Sequence, residues 1–125
     1  MLKGLIRSMG IYESFLAHMG GEHFVVLLAY EDYERFCVTL AETFDQQVKD
    51  LYTHEEVSQG HVLARDRNGL EGKYALMALS IGVAHNELRE YKSAKKMFET
   101  LTQLRQMADP EGKSIVIVDR RQSER

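Results

Sequence analysis

Residues 20–28 read Gly-Gly-Glu-His-Phe-Val-Val-Leu-Leu, a glycine pair followed by an acid, a histidine and a continuous apolar run. Glycine accepts the positive φ that tight hairpin turns require, so Gly20 and Gly21 predict a hairpin between strands at 13–19 and 23–30. The apolar run is typical of a strand that is covered on both faces. The stretch therefore predicts an antiparallel strand pair with a buried second strand.

Apolar residues at helical spacing predict three helices around this hairpin. The first covers 2–9, and the second, at 31–52, has the clearest apolar stripe. The third covers 91–108 and is expected to end at the Asp-Pro-Glu-Gly sequence of 109–112, because proline does not continue a helix and glycine favours its end. The stripe of the second helix predicts core positions at Tyr33, Phe36, Cys37, Leu40, Phe44, Val48 and Leu51.

Further strands are predicted in the second half of the chain. Two strand-like runs, 61–65 and 74–84, flank the sequence Asp-Arg-Asn-Gly at 66–69, which has turn chemistry. A last short strand is predicted at 114–118, and the polar stretch 53–59 carries no predicted element. The order helix, hairpin, helix, hairpin, helix, strand predicts an α+β fold, with an antiparallel-rich sheet and the helices packed on one face.

Length, charge and cysteine content exclude several classes of protein. With 125 residues, 44% of them hydrophobic, the chain is long enough for one domain with a real core, predicted at 1–119 before a polar tail at 120–125. A net charge of −3 does not provide the positive field that nucleic-acid binding needs. The single cysteine, Cys37, excludes an internal disulfide and is expected to be buried, and no run approaches the ~20 apolar residues of a membrane span. We therefore expect a cytoplasmic protein that binds neither nucleic acid nor membrane.

Four segments resemble the GGDEF (diguanylate cyclase-like) family. The apolar strand Leu-Ser-Ile-Gly-Val-Ala at 79–84 is similar to the family's late Ser-x-Gly strand, and 108–114 is similar to its Ala-Lys-x-x-Gly-Arg-Asn passage from a helix to the last strand. Residues 60–80 look like a hairpin extension found in a subset of these domains. The segment that is similar to the family's signature turn consists of Gly20, Gly21, Glu22, His23 and Phe24.

The resemblance implies a partial nucleotide-cyclase/ferredoxin-like GGDEF fold, of which the matching segments cover the later portion. The family condenses two GTP molecules into cyclic di-GMP and holds the metal with two carboxylates, because the triphosphate and the developing charge need divalent cations. By this resemblance Glu22 is the metal-binding acid of the turn and Lys113 lies beside the family's phosphate-contacting position. His23 replaces the second acid of the turn, and Asp109 stands where the family has a phosphate-contacting lysine, so a carboxylate there would repel a triphosphate.

Each of these positions also has a structural interpretation. For Glu22 the interpretation as a solvated acid at a hairpin tip is favoured over a metal ligand, whereas for Lys113 an exposed turn lysine and a phosphate contact are weighed evenly. His18 and His23 flank the same turn, but two histidines without a third ligand do not make a zinc site. The family's inhibitory Arg-x-x-Asp product site would fall on Ile11 and Ser14, neither of which pairs with guanine or phosphate, so we predict that this site is absent.

Two functions follow from these positions, and His23 and Asp109 favour the first. The chain is predicted to be a degenerate, non-catalytic signalling or interaction module of cyclic-di-GMP-type signal transduction, with no cofactor, which forms a homo-oligomer and contacts other signalling proteins. The alternative is a fragment of an active diguanylate cyclase, which would require Mg²⁺ and GTP. A sensor that binds GTP or cyclic di-GMP without turnover is a third reading.

Overall fold

The computed structural model describes residues 1–11, 13–87, 90–108 and 112–120. The chain forms two compact units, Met1–Leu40 and Ala41–Arg125, which are described separately below. The mixture of helices and strands confirms the α+β class, whereas the single domain at 1–119 stays a prediction. The helices are α1 (Leu2–Ser8), α2 (Tyr30–Val48), α3 (His54–Gln59) and α4 (Ala94–Met107), with a 3-10 turn at Lys49–Leu51. The strands are β1 (Ser14–His18), β2 (Phe24–Leu28), β3 (His61–Arg65), β4 (Glu71–Ala75), β5 (Ser80–Val83) and β6 (Ile115–Val118).

The first unit contains α1, the β1–β2 hairpin and the first part of α2. The predicted hairpin is confirmed, since β1 and β2 pair antiparallel from Ser14 opposite Leu28 to His18 opposite Phe24. The Arg35 guanidinium on α2 donates to the Met9 carbonyl at the end of α1, at 3.1 Å, and so satisfies an acceptor that the helix leaves unpaired. The buried apolar residues of this unit are Ile6, Ile11, Phe36, Cys37 and Leu40.

Strand β2 departs from its sequence-based prediction. None of its five residues is buried, and Phe24 and Leu27, on opposite faces of the strand, are 53% and 55% exposed. The prediction that β2 is covered on both faces is therefore wrong for the described part of the chain. An apolar run indicates that both faces of a strand can be buried, but the neighbouring elements decide whether either face is covered.

In the second unit, the predicted strand at 74–84 is divided into two strands with different partners. Strand β4 ends at Ala75 and pairs antiparallel with β3, while β5 begins at Ser80 and pairs parallel with β6. The prediction of one continuous strand is wrong, and one of the three strand pairs among the described residues is parallel. The connection between β5 and β6 contains α4, and a helical crossover of this length lets the chain return in the same direction.

Helix α4 lies very close to β5 at Gly82. A Cβ atom built on Gly82 would stand 3.1 Å from the Leu101 carbonyl oxygen and 3.2 Å from the Leu104 Cβ. Thr100 and Leu104, on the same helix, are buried. The glycine of the Ser-x-Gly strand therefore sets the distance between this helix and its sheet.

The polar stretch 53–59 forms α3, a short helix that the sequence reading missed. The Thr53 hydroxyl accepts from the Glu56 backbone N–H at 3.1 Å, and the Glu56 carboxylate accepts from the Thr53 N–H at 2.8 Å, which together make a capping box. Gly60 ends the helix with a φ of 79°. The Thr-x-x-Glu spacing is a helix-start signal, but the stretch has no apolar run to accompany it.

Of three other predictions, the turn is confirmed and the two helices have different boundaries. The turn at 66–69 is confirmed, because the Asp66 carboxylate accepts from the Asn68 N–H at 2.8 Å and from the Leu70 N–H at 3.0 Å. The third helix begins at residue 94 after the Ser93 cap, later than predicted. The second helix ends its α-helical part at residue 48, and Leu51, predicted to be core, is 73% exposed.

Candidate functional site

The candidate site is the turn between β1 and β2, which carries Gly20, Gly21, Glu22, His23 and Phe24. Gly20 and Gly21 have φ values of 89° and 55°, so both require the left-handed backbone that glycine tolerates. The Met19 N–H donates to the His23 carbonyl at 2.9 Å, and the His23 N–H donates to the Gly20 carbonyl at 3.2 Å. These two bonds close the loop and bring the five positions into one compact turn.

The His18 side chain holds this turn from the strand below it. Its Nε2 lies 2.6 Å from the Gly21 carbonyl oxygen, which accepts only, so Nε2 carries the proton and donates. The imidazole also stacks on the Phe24 ring, with the centroids 4.6 Å apart and the planes 14° from parallel. Sequence reasoning considered His18 as a possible zinc ligand, but in this geometry its Nε2 is occupied and the ring supports the turn.

The acidic position of the turn has no cluster of metal-ligand side chains around it among the described residues. Glu22 and His23 are both exposed, and no three His, Cys, Asp or Glu side chains converge on a common point in the described ranges. Mg²⁺ bound to a triphosphate needs carboxylate oxygens, and imidazole prefers softer metals. The described residues around Glu22 therefore do not form the cluster of three or more ligands that would hold the metal which the resemblance implies.

The predicted phosphate position lies in the other unit. Lys113 is exposed and sits directly before Ser114, at the start of β6, as an exposed turn lysine would. Asp109, which stands where the family has a phosphate-contacting lysine, lies outside the described residues. At the positions of the family's inhibitory product site, Ile11 is a buried core residue with 6% exposure, and Ser14 is the first residue of β1.

A half-buried polar network in the second unit was not predicted from the sequence. The Asp45 carboxylate accepts from the Ser114 backbone N–H at 3.0 Å and from the Ser114 hydroxyl at 2.5 Å. The Ser114 oxygen accepts in turn from the Leu79 N–H at 2.8 Å. This chain of hydrogen bonds joins α2 to the starts of β5 and β6, and it joins residues that are far apart in the sequence, so no local spacing points to it.

A buried carboxylate, that of Asp119, follows β6. Asp119 is 4% exposed, its Oδ2 accepts from the Tyr91 hydroxyl at 2.6 Å, and its backbone N–H donates to the Val83 carbonyl at 2.8 Å. The residue lies at the carboxyl end of a parallel strand pair, which is a common place for ligands in parallel sheets. Here the carboxylate is hydrogen-bonded within the fold and ties the segment before α4 to the end of β6.

In the parts of the chain that the structure describes, every helix is too short or too polar to cross a membrane. No protein-family model matches the chain, and neither the curated proteins nor the solved structures contain a detectable relative.

Proposed function

We propose that this chain is a degenerate GGDEF-like module that acts through protein contacts and does not synthesise cyclic di-GMP. The observation that carries the proposal is the Gly20–Gly21 turn, which has the residues of the family signature up to Glu22 and a histidine at the next position. The module would belong to cyclic-di-GMP-type signal transduction and would contact copies of itself and other signalling proteins. Its GGDEF-like fold is part of the proposal.

The charge of the turn argues against catalysis. Condensation of two GTP molecules requires divalent cations that carboxylates hold against the triphosphates. Glu22 is an exposed carboxylate, and among the described residues it belongs to no cluster of three or more potential metal ligands. The imidazole of His23 carries no negative charge and does not replace the acid of the family, so a Mg²⁺–GTP complex would be held poorly here.

The construction of the turn also favours a structural role. The His18 imidazole donates to Gly21 and stacks on Phe24, so the side chain below the turn stabilises the hairpin. The same hairpin exposes large apolar side chains, since Phe15, Phe24 and Leu27 are each more than half exposed. Exposed apolar side chains grouped on one element are typical of surfaces that contact other proteins.

The decisive experiment is incubation of the chain with GTP and either Mg²⁺ or Mn²⁺, followed by chromatography of the nucleotides. We expect no cyclic di-GMP above a control without protein. Product above that control would overturn the proposal and favour the alternative, an active cyclase fragment. The Glu22→Gln variant is the matched control, because product that depends on the metal-binding acid would disappear in it, whereas a contaminating cyclase would persist.

Calorimetry separates the proposal from the third reading, a sensor without turnover. The chain would be titrated with GTP in the presence of Mg²⁺ and, separately, with cyclic di-GMP. We expect no saturable heat from either ligand. Saturable binding without product would replace the interaction module with a nucleotide sensor.

A further inference from the structure

The hydrogen bonding of the β1–β2 hairpin determines which backbone groups of β2 point outward. The bond from the Met19 N–H to the His23 carbonyl marks these two residues as a hydrogen-bonded pair. Because bonded and non-bonded pairs alternate along an antiparallel ladder, Phe24, Val26 and Leu28 belong to non-bonded pairs. Their N–H and C=O groups therefore point away from β1.

This outer edge of β2 is open and apolar. Within the described ranges β2 has β1 as its one sheet neighbour. The strand contains five apolar residues and none of the charges or prolines with which natural proteins protect an edge. A two-stranded sheet is only marginally stable by itself, so pairing at this edge would stabilise the hairpin.

We propose that β2 pairs antiparallel with β2 of a second copy of this chain, with Val26 on the two-fold axis. This register is the one in which all three outward-facing residues meet outward-facing residues, since Phe24 then lies opposite Leu28 of the second copy. It forms about six backbone hydrogen bonds in the alternating antiparallel pattern. Two hairpins become one four-stranded sheet, and each copy presents the same strand, as a closed two-fold dimer requires.

The same register covers the two exposed side chains of β2. Phe24, 53% exposed, meets Leu28 of the second copy, and Leu27, 55% exposed, meets Val25 of the second copy in a closely spaced pair. The paired strands, Phe24–Leu28 in each copy, contain no acidic residue, so no acid faces an acid within the ladder. Residues that are exposed in one copy thus find apolar partners, without repulsion between like charges.

The opposite edge of the hairpin is less suited to this pairing. The outward-facing residues of β1 are Ser14, Leu16 and His18, and two of these are polar. The His18 ring already contacts Gly21 and Phe24.

The proposed dimer is expected to be weak. One strand pair buries less than the ~1,200 Å² in total that stable interfaces reach, so we expect the dimer to dissociate at low concentration.

This inference names the partner and the surface of the proposed interaction module, and so rests on that proposed function. Light scattering after size exclusion, over a wide range of concentrations, should give twice the 14.4 kDa mass at the upper end and approach the single mass on dilution. A mass of 14.4 kDa at all concentrations would overturn it. The GTP assay on the same sample tests the proposed lack of cyclase activity independently. A monomer that makes no cyclic di-GMP would therefore refute the dimer without refuting the proposed function.

Two matched pairs of variants locate the edge. Val26→Pro removes an outward N–H from β2, and Leu16→Pro removes the equivalent outward group from the directly opposite position on β1. We expect the dissociation constant to rise at least tenfold for Val26→Pro only. An equal effect of both, in variants whose circular dichroism matches the wild-type chain, would show that β2 is not the interface.

The second pair of variants tests the same interface without proline, in case the proline variants do not fold. Leu27→Lys and Phe15→Lys place a charge on side chains that are exposed and lie opposite each other on one face of the hairpin. Only Leu27→Lys brings a lysine against Val25 of the second copy, so it alone should shift the chain to the monomer. Retention of the dimer by Leu27→Lys would refute the register.

Discussion

Replacing Gly82 by alanine should destabilise the second unit, because the added methyl group meets α4. The Cβ would lie 3.1 Å from the Leu101 carbonyl oxygen, 3.2 Å from the Leu104 Cβ and 3.5 Å from the Arg105 nitrogen. Ordinary contacts between carbon atoms are about 3.5–4.0 Å. The two shortest contacts are therefore too close by several tenths of an ångström, and two of the three atoms belong to the helix backbone, so the helix itself has to move.

Two opposing terms set the size of the effect. Overpacking a well-packed interior costs about 1–3 kcal/mol, and the movement of α4 also disturbs the buried Thr100 and Leu104. Alanine in place of glycine in a regular element returns roughly 0.5–1 kcal/mol, because the unfolded chain has less freedom to lose. We expect a net loss of roughly 0.5–2 kcal/mol for Gly82→Ala, with a larger loss for Gly82→Val.

Urea denaturation followed by circular dichroism measures this loss as a shift of the midpoint at constant slope. Gly72→Ala is the matched control, since Gly72 is also a strand glycine but its added Cβ would come no closer than 3.4 Å to the Tyr74 side chain. We expect this control to be neutral or slightly more stable than the wild-type chain. If Gly82→Ala proved as stable as Gly72→Ala, the close approach of α4 to β5 would be refuted.

Three further predictions concern side chains that are buried or half-buried. Phe36→Ala should cost ~3–5 kcal/mol in denaturant melts, because Phe36 is only 3% exposed, and a loss below ~1 kcal/mol would show that it is not core. Asp45→Ala should cost ~1–3 kcal/mol, because it removes the acceptor of the Ser114 hydroxyl and N–H. The control, Ala in place of the exposed Glu42 on the same helix, should change stability by less than ~0.5 kcal/mol. Equal losses in the two variants would show that these hydrogen bonds do not stabilise the fold. Burial raises the pKa of the Cys37 thiol from 9.0 to about 11, so the folded chain keeps a proton that the unfolded chain loses, and stability should fall as the pH rises from about 9 to about 11. The difference in stability between the wild-type chain and Cys37→Ala, measured across that range, isolates the thiol, and a difference that does not change with pH would contradict its burial.

Local sequence rules predicted the elements whose causes are local. The glycine pair at 20–21 produced the hairpin turn because positive φ is a property of single residues, and Asp66 produced its turn through bonds to the next few N–H groups. The apolar spacing of α2 identified Phe36 and Leu40 as core correctly. The prediction of core residues failed at Leu51, the last residue of the apolar stripe, because a periodic pattern does not show where the element that covers the helix ends.

In the candidate site, too, the features with local causes were predictable and those with long-range causes were not. Its consecutive residues, from Gly20 to Phe24, meet in one turn by chain connectivity alone, so their proximity was predictable. Whether other ligands converge on Glu22 depends on residues distant in the sequence, and spacing carries no information about that. The support that His18 gives to the turn has a local cause, since His18 lies three residues before Gly21, but the sequence analysis considered His18 only as a metal ligand and rejected that role.

Sequence alone therefore accounted for the hairpin, the long helix, the short turns and the α+β class, because hydrogen bonds and steric preferences within a few residues decide them. Tertiary structure decided the parallel pairing of β5 with β6, the bond between Asp45 and Ser114, and the need for glycine at position 82. It also decided that β2 keeps exposed apolar side chains, which its composition did not reveal. Each of these depends on which distant segments come within contact distance, and that is a property of the folded chain as a whole.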